Sequence, residues 1–314
     1  IGKGPVRTGV TAILPVGKKS TDQIFGAWHS LNGNGEMTGT TWLQESGLLE
    51  GPILLTNTHS VGTVRDAVVS WRVQQGNPDA AISLPIVAET WDGFLNDING
   101  FHIKPIHALR AIESAKSGPV EEGNVGSGTG MICFEFKCGI GTSSRKVKTS
   151  VGEFTVGTLV QANFGRRPQL RIAGVPVGKM FKSNLVWTKE TGSIIAVVAT
   201  DAPLLPHQLK RIAQRAGLGI ARLGAVSGDG SGDIFLAFST PHREPRASTQ
   251  PSKPMMFPNG ELDPLFEATV QSVEEAVLNS MVAAETMVGV DGHRAVALPT
   301  TAVMKQIEKR QYLP

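Results

Sequence analysis

Ser227-Gly228-Asp229-Gly230-Ser231-Gly232-Asp233-Ile234-Phe235-Leu236-Ala237-Phe238-Ser239-Thr240 sets turn chemistry directly against a core strand. The first half carries two Ser-Gly-Asp triplets, which favour a tight turn. The second half runs apolar from Ile234 to Phe238, as a strand buried on both faces does. Ser231 therefore sits where a flexible turn enters the core. Glycine on either side frees the backbone to take torsions other residues avoid, so the hydroxyl can stand clear of the chain.

That placement suits one chemistry. If the Gly230–Ser231 bond is broken, Ser231 becomes an N-terminus with a hydroxyl nucleophile and a free α-amine on one residue. An α-amine titrates near about 7.7–8.0, so it serves as its own general base at neutral pH. The Ser231 hydroxyl, attacking the preceding carbonyl, would make the cut without a protease. A plain Gly-Ser connection between a helix and a strand is the competing reading of the turn.

The chain has 314 residues, 40% apolar and 18% charged, enough to bury a large core. Net charge is only +3, and the basic residues do not cluster, so neither nucleic acid nor a membrane surface is indicated as a partner. Cys133 and Cys138 have the wrong spacing for C-x-x-C and no second pair exists. Both are expected as thiols in or beside a strand. The seven histidines form no H-E-x-x-H and no metal-like cluster. No G-x-S-x-G elbow is present. Gly123-Asn124-Val125-Gly126-Ser127-Gly128-Thr129-Gly130 superficially suggests a phosphate cradle, but no Lys-Ser/Thr follows it. The opening Ile1-Gly2-Lys3-Gly4 reads like mid-strand, so residues before it are expected.

Pattern and turn residues predict strands over 5–15, 52–56, 83–89, 131–137 and 194–200, and a hairpin over 142–162. Helices are predicted over 63–75 and 105–116, and a third is opened by the stretch 201–206 and runs to about 218. A last helix is expected to start at Ser272, with Glu275 completing a capping box, and to run to Met287. Residues 26–36, with two Asn-Gly pairs, read as loop. Residues 174–192 read as a mobile insertion, and 241–263, with five prolines, as a surface excursion. Short apolar strands mixed with helices indicate an α+β fold of two packed sheets with helices outside. An open parallel sheet is the alternative.

Seven stretches together make the sequence recognisable. They are Asn32-Gly33-Asn34-Gly35-Glu36, Asn57-Thr58-His59-Ser60-Val61-Gly62, Glu89-Thr90-Trp91-Asp92-Gly93, Gly123-Asn124-Val125-Gly126, Asn163-Phe164-Gly165, Thr200-Asp201-Ala202-Pro203-Leu204 and Gly230-Ser231-Gly232-Asp233. In that order the chain resembles the DmpA family of L-aminopeptidase/D-amidase–esterases, with the β-aminopeptidases as near relatives. The resemblance implies a single catalytic domain, a four-layer αββα sandwich like that of the N-terminal nucleophile hydrolases but with different connectivity. It also implies an inactive precursor that cuts itself at Gly230/Ser231 into residues 1–230 and 231–314.

By motif, Ser231 matches the nucleophile and Asn163 the asparagine whose amide helps hold the oxyanion. Ser272 and Glu274, in Ser-Val-Glu, match residues that tune the amine of the nucleophile. Glu89 matches the carboxylate that receives the substrate ammonium, with Trp91 beside it. Some relatives place a tyrosine hydroxyl in the site, whereas the single tyrosine here is Tyr312. Substrates are expected to be short peptides, amides or esters with a free amine, with small N-terminal residues such as Ala or Gly released. β-Amino acid specificity is the close alternative. No cofactor or metal is implied, so chelators should leave activity intact. The resemblance suggests a homotetramer; the compartment is not legible. An acyl transferase on the same scaffold would pass the acyl group to an amine, and product analysis with added amines separates the two.

Overall fold

Ser193–Thr200 is apolar at nearly every position because both faces of its sheet are covered. Ile194, Ala196 and Val198 pack toward helices, whereas Ile195 and Val197 pack toward a second sheet. The computed structural model describes residues 2–76, 82–186, 192–244 and 250–311. The expected insertions are therefore described only in part, and Tyr312 lies outside the described residues.

In chain order the elements are β1 (Thr11–Ile13), β2 (Gln23–Gly33), α1 (Thr40–Ser46), β3 (Leu48–Glu50), β4 (Ile53–Asn57), α2 (Val61–Gln74), β5 (Ile86–Thr90) and α3 (Pro105–Ser114). A two-stranded hairpin follows, β6 (Ile132–Cys133) and β7 (Phe136–Lys137). Then come β8 (Ile140–Thr149), β9 (Gly152–Asn163), β10 (Ser193–Thr200), α4 (Pro206–Arg222), β11 (Gly232–Glu244) and α5 (Asp263–Val282). The chain closes with β12 (Met287–Val288), β13 (Arg294–Ala295) and α6 (Thr300–Gln311).

One sheet has the order β1-β4-β5 and the other β3-β2-β11-β10-β9-β8. Ile53, Leu55, Ile86 and Ala88 of the first meet Ile195, Val197, Ile234 and Leu236 of the second. On the far side of the small sheet, Leu54 and Val87 pack on Val64 and Val68 of α2 and Ile112 of α3. On the far side of the large sheet, Val160, Ala196 and Phe235 pack on Ile212 of α4 and Val273 of α5. The order is helix, sheet, sheet, helix, which is the expected αββα sandwich. Gln161 of β9 ties the sheets together, donating to the Thr56 carbonyl at 2.9 Å and to Thr90 Oγ at 2.8 Å.

Several local expectations need correction. The strand expected over 131–137 is broken into β6 and β7 by Phe134 and Glu135 at positive φ, and the one expected over 5–15 shrinks to Thr11–Ile13. Residues 26–33 are not loop: β2 runs through them, paired antiparallel to β11 from Phe25 to Gly33. Glycine and asparagine there are carried by cross-strand pairing, which outweighs local preference. The last long helix begins at Asp263, with Pro264 in its first turn, so Ser272 is mid-helix rather than a cap. Its hydroxyl instead meets Thr158 Oγ at 2.7 Å and the Thr269 carbonyl at 3.1 Å.

α5 lies on β8 with almost no gap. A Cβ on Gly141 would stand 1.9 Å from the Ala276 carbonyl oxygen and 2.7 Å from the Ser280 nitrogen. Backbone must move to admit it, so Gly141→Ala should cost about 3 kcal/mol. Denaturant midpoints of the two proteins check this; equal midpoints would show that α5 yields freely.

Candidate active site at the start of β11

Four strands meet at one end of the sandwich. Across the large sheet, Asn163 of β9 pairs with Ser193 of β10, Ser193 with Gly232 of β11, and Gly232 with Gly33 of β2. Ser231 stands immediately before this row, fully buried. Its hydroxyl donates to Asp233 Oδ1 at 2.8 Å. Its N–H donates to the Gly228 carbonyl at 2.8 Å, which closes the turn 228–231. Gly232 N–H is shared between the Gly192 carbonyl and Ser193 Oγ, both at 3.2 Å.

The turn after β2 folds over Gly232. A Cβ on Gly232 would lie 2.4 Å from the Asn34 carbonyl oxygen and 2.7 Å from Gly35 Cα. No other residue fits, and the approach fixes both asparagines of the Asn-Gly pairs against the 227–231 turn. Asn32 Nδ2 donates to the Ser227 carbonyl at 3.2 Å and also to the Gly228 carbonyl. Asn34 Nδ2 donates to the Gly230 carbonyl at 2.9 Å, and Asn34 N–H to the Ser231 carbonyl at 3.3 Å.

Glu89, at the end of β5, reaches the same place from the other sheet. One carboxylate oxygen accepts the Glu36 N–H at 2.9 Å and the other accepts the Thr58 hydroxyl. A Cβ on Gly35 would touch both Glu89 Oε1, at 3.3 Å, and Gly232 Cα, at 3.2 Å. The carboxylate is thus within about 6.5 Å of the residue after the serine. Burial pushes the Glu89 carboxyl above its ordinary range, with the two hydrogen bonds opposing. Among the described residues no lysine or arginine forms an ion pair with it.

Asn163 is held from two sides. Its Oδ1 accepts the Ile132 N–H at 2.9 Å, and its Nδ2 donates to the Trp91 carbonyl at 2.7 Å. The Trp91 ring is half-buried over Gly93. Beneath it the β6–β7 hairpin buries Lys137, whose ammonium donates to the carbonyls of Gly128, Met131 and Cys138. Burial lowers that amine to about 8. Cys133 and Cys138 are both free and buried, as expected.

Ser231, Asn163, Glu89 and Trp91 thus share one end of the sandwich. Ser272 and Glu274 do not, and their expected role is corrected. Thr158, which Ser272 touches, precedes Asn163 by five residues on β9, roughly 16 Å along the strand. Glu274 pairs with Arg222 at the end of α4, on the outer helical layer. A linear Ser-x-Glu says nothing about which end of a helix faces the site. Asn34, Thr58 and Asp233 were not singled out from sequence; the second Asn-Gly pair was the signal for the first of them. A groove of about 750 Å³ follows β1 and α3 and includes none of these residues.

The fold and this site define a hydrolase of the N-terminal nucleophile type. The profile of peptidase family S58 matches residues 1–295, and the chain belongs to that family. It is 51% identical to the β-peptidyl aminopeptidase BapA of Sphingosinicella microcystinivorans, over 99% of this chain and 83% of that one. The L-aminopeptidase D-Ala-esterase/amidase of Ochrobactrum anthropi superposes with a TM-score of 0.93 at 44% identity, covering 99% and 88% of the two chains. That structure is described as a prototype of the serine aminopeptidases and a variant of the Ntn hydrolase fold. A Burkholderia sp. β-aminopeptidase superposes with a TM-score of 0.91 at 44% identity, covering 99% and 90%.

Next to Trp91, Asp92 is buried, accepts from Asn96 Nδ2 at 3.0 Å, and titrates at about 6 because desolvation disfavours its charge. Its folded value lies above the ordinary 3.8, so the native state binds the extra proton. Stability should fall as pH rises through that window. Asp92→Asn, with no charge to bury, should gain on the parent by roughly 2 kcal/mol between pH 4 and pH 7.5. Urea midpoints at the two pH values measure it; a constant difference would contradict the burial argument.

Proposed function

We propose that this chain is a self-processing serine aminopeptidase whose nucleophile, Ser231, is released by cleavage of the Gly230–Ser231 bond. The single observation that carries the reading is the buried Glu89 carboxylate beside Gly232. A carboxylate buried there is costly to charge, and a substrate ammonium offsets that cost. A blocked amino terminus leaves the carboxylate unpaired and is rejected. Burial also explains why an intact chain would be inert: Ser231 is wholly buried, with its N–H tied to the Gly228 carbonyl of its own turn.

After the cut, the Ser231 amine takes the proton of its own hydroxyl as Oγ attacks the first carbonyl of the bound substrate. Asn163 has a second amide N–H beyond the one bound to Trp91, and it is assigned to the developing oxyanion, where one donor contributes about 2.7–4 kcal/mol. The amine then returns the proton to the leaving group, and water hydrolyses the acyl-enzyme. Short peptides, amides and esters with a free amine are the proposed substrates. The identity to a β-peptidyl aminopeptidase favours amines one carbon further from the carbonyl as a second substrate class.

Intact mass of the purified protein tests the processing: fragments 1–230 and 231–314 are expected, and Ser231→Ala should give one uncut, inactive chain. Cleavage elsewhere, or turnover by Ser231→Ala, would sink the assignment. Glu89→Gln should lower kcat/KM by roughly 10–100-fold through loss of a charge-assisted contact, mostly as a higher KM. Because burial raises the Glu89 carboxyl, protonation weakens ammonium docking early on acidification. Protonation of the Ser231 amine gives parent and variant one acid limb in common, and the parent should fall more steeply than Glu89→Gln as pH drops further. Assays with matched α- and β-amino acyl amides decide between the substrate classes.

A further inference from the structure

The self-cleavage proposed above needs its own chemistry, because the α-amine that serves hydrolysis does not exist until the bond is broken. A base for the Ser231 hydroxyl and a donor for the Gly230 carbonyl must come from the uncut chain. Both are in place. Ser231 Oγ donates to Asp233 Oδ1 at 2.8 Å, and Asn34 Nδ2 donates to the Gly230 carbonyl oxygen at 2.9 Å.

We propose that Asn34 and Asp233 carry out the maturation cut, Asn34 holding the oxyanion on Gly230 and Asp233 taking the hydroxyl proton. The inference rests on the processing reading of the preceding subsection. Ser231 Oγ forms a bond to the Gly230 carbonyl carbon as its proton passes to the Asp233 carboxylate. The carbonyl electron pair moves onto oxygen, facing the Asn34 amide. The bond from that carbon to the Ser231 nitrogen then breaks, and the nitrogen takes the proton from Asp233. This leaves an ester between Gly230 and the Ser231 side chain. Water adds across it, giving a Gly230 carboxylate and Ser231 with a free hydroxyl and a free amine.

Three further contacts fit Asn34 to this step. Its backbone N–H binds the Ser231 carbonyl at 3.3 Å, so one residue grips the chain on both sides of the scissile bond. Asn32 pins the carbonyls of Ser227 and Gly228, which keeps the turn from swinging the Gly230 carbonyl away. Asn32 is a positioning residue, since it touches no reacting atom. Asn163 lies two strands away with its amide on the Trp91 carbonyl, so the donor assigned to the cut and the donor assigned to hydrolysis are different residues.

A cell-free translation of the full chain, sampled over time by intact mass, follows formation of fragment 231–314. Asn34→Ala should slow the cut by about 100-fold or more, the effect of removing one oxyanion donor. Asn34→Asp keeps the shape, replaces the donor with an acceptor, and should be slowed as much. Asp233→Asn should also accumulate uncut chain. Melting temperatures are compared with that of uncut Ser231→Ala; if Asn34→Ala melts lower, the isosteric Asn34→Asp decides. Parental cleavage rates in both Asn34 variants would overturn the proposal while leaving Ser231 as the nucleophile. A parent chain that is never cut would overturn the processing reading and this inference together.

Discussion

The backbone of Asn34 and Gly35 rests directly on Gly232, and the site depends on that contact. A side chain on Gly232 would collide with the Asn34 carbonyl, and one on Gly35 would wedge between Gly232 and Glu89. With both positions bare, the end of β2 closes over the start of β11. That closure delivers the Asn32 and Asn34 amides to the turn and leaves room for the Glu89 carboxylate beside them. The glycines here act by close approach, since neither has a positive φ.

Around this contact the protein keeps several ionisable groups away from water. Glu89 and Asp92 are both raised by burial, whereas Lys137 is lowered. Their surroundings differ in kind. Lys137 is saturated by three carbonyls, which accounts for it as a clasp of the β6–β7 hairpin. Glu89 accepts from two neutral donors, the Glu36 N–H and the Thr58 hydroxyl, which stabilise an anion without cancelling its charge.

The layered fold was legible because continuous apolar strands, such as 194–200, need cover on both faces. Ser231 was singled out because a flexible turn meets a core strand there, whereas Glu89, Trp91 and Asn163 were singled out through the resemblance of their motifs; all four stand at or beside a strand end. β2 was not: Gly26 to Gly33 has weak strand preference, and only its partner β11 makes it a strand. The start of α5 was missed because Ser272 and Glu275 satisfy a capping pattern that recurs by chance inside helices. The same helix carried Ser272 and Glu274 to the outer layer, against Thr158 and Arg222. Local sequence does not encode the rotation of a helix about its axis; packing on β8 and β9 sets it.

β11 lies inside its sheet, flanked by β2 and β10. Both neighbours belong to the part of the chain before Ser231, while α5, from the part after it, is packed against α4, β8 and β9. A cut at Gly230 would therefore leave two polypeptides threaded through one another. Neither piece can depart without opening the large sheet along two full ladders. Such a break would cost the molecule a covalent link and almost none of its cohesion, a change of chemistry within a standing architecture.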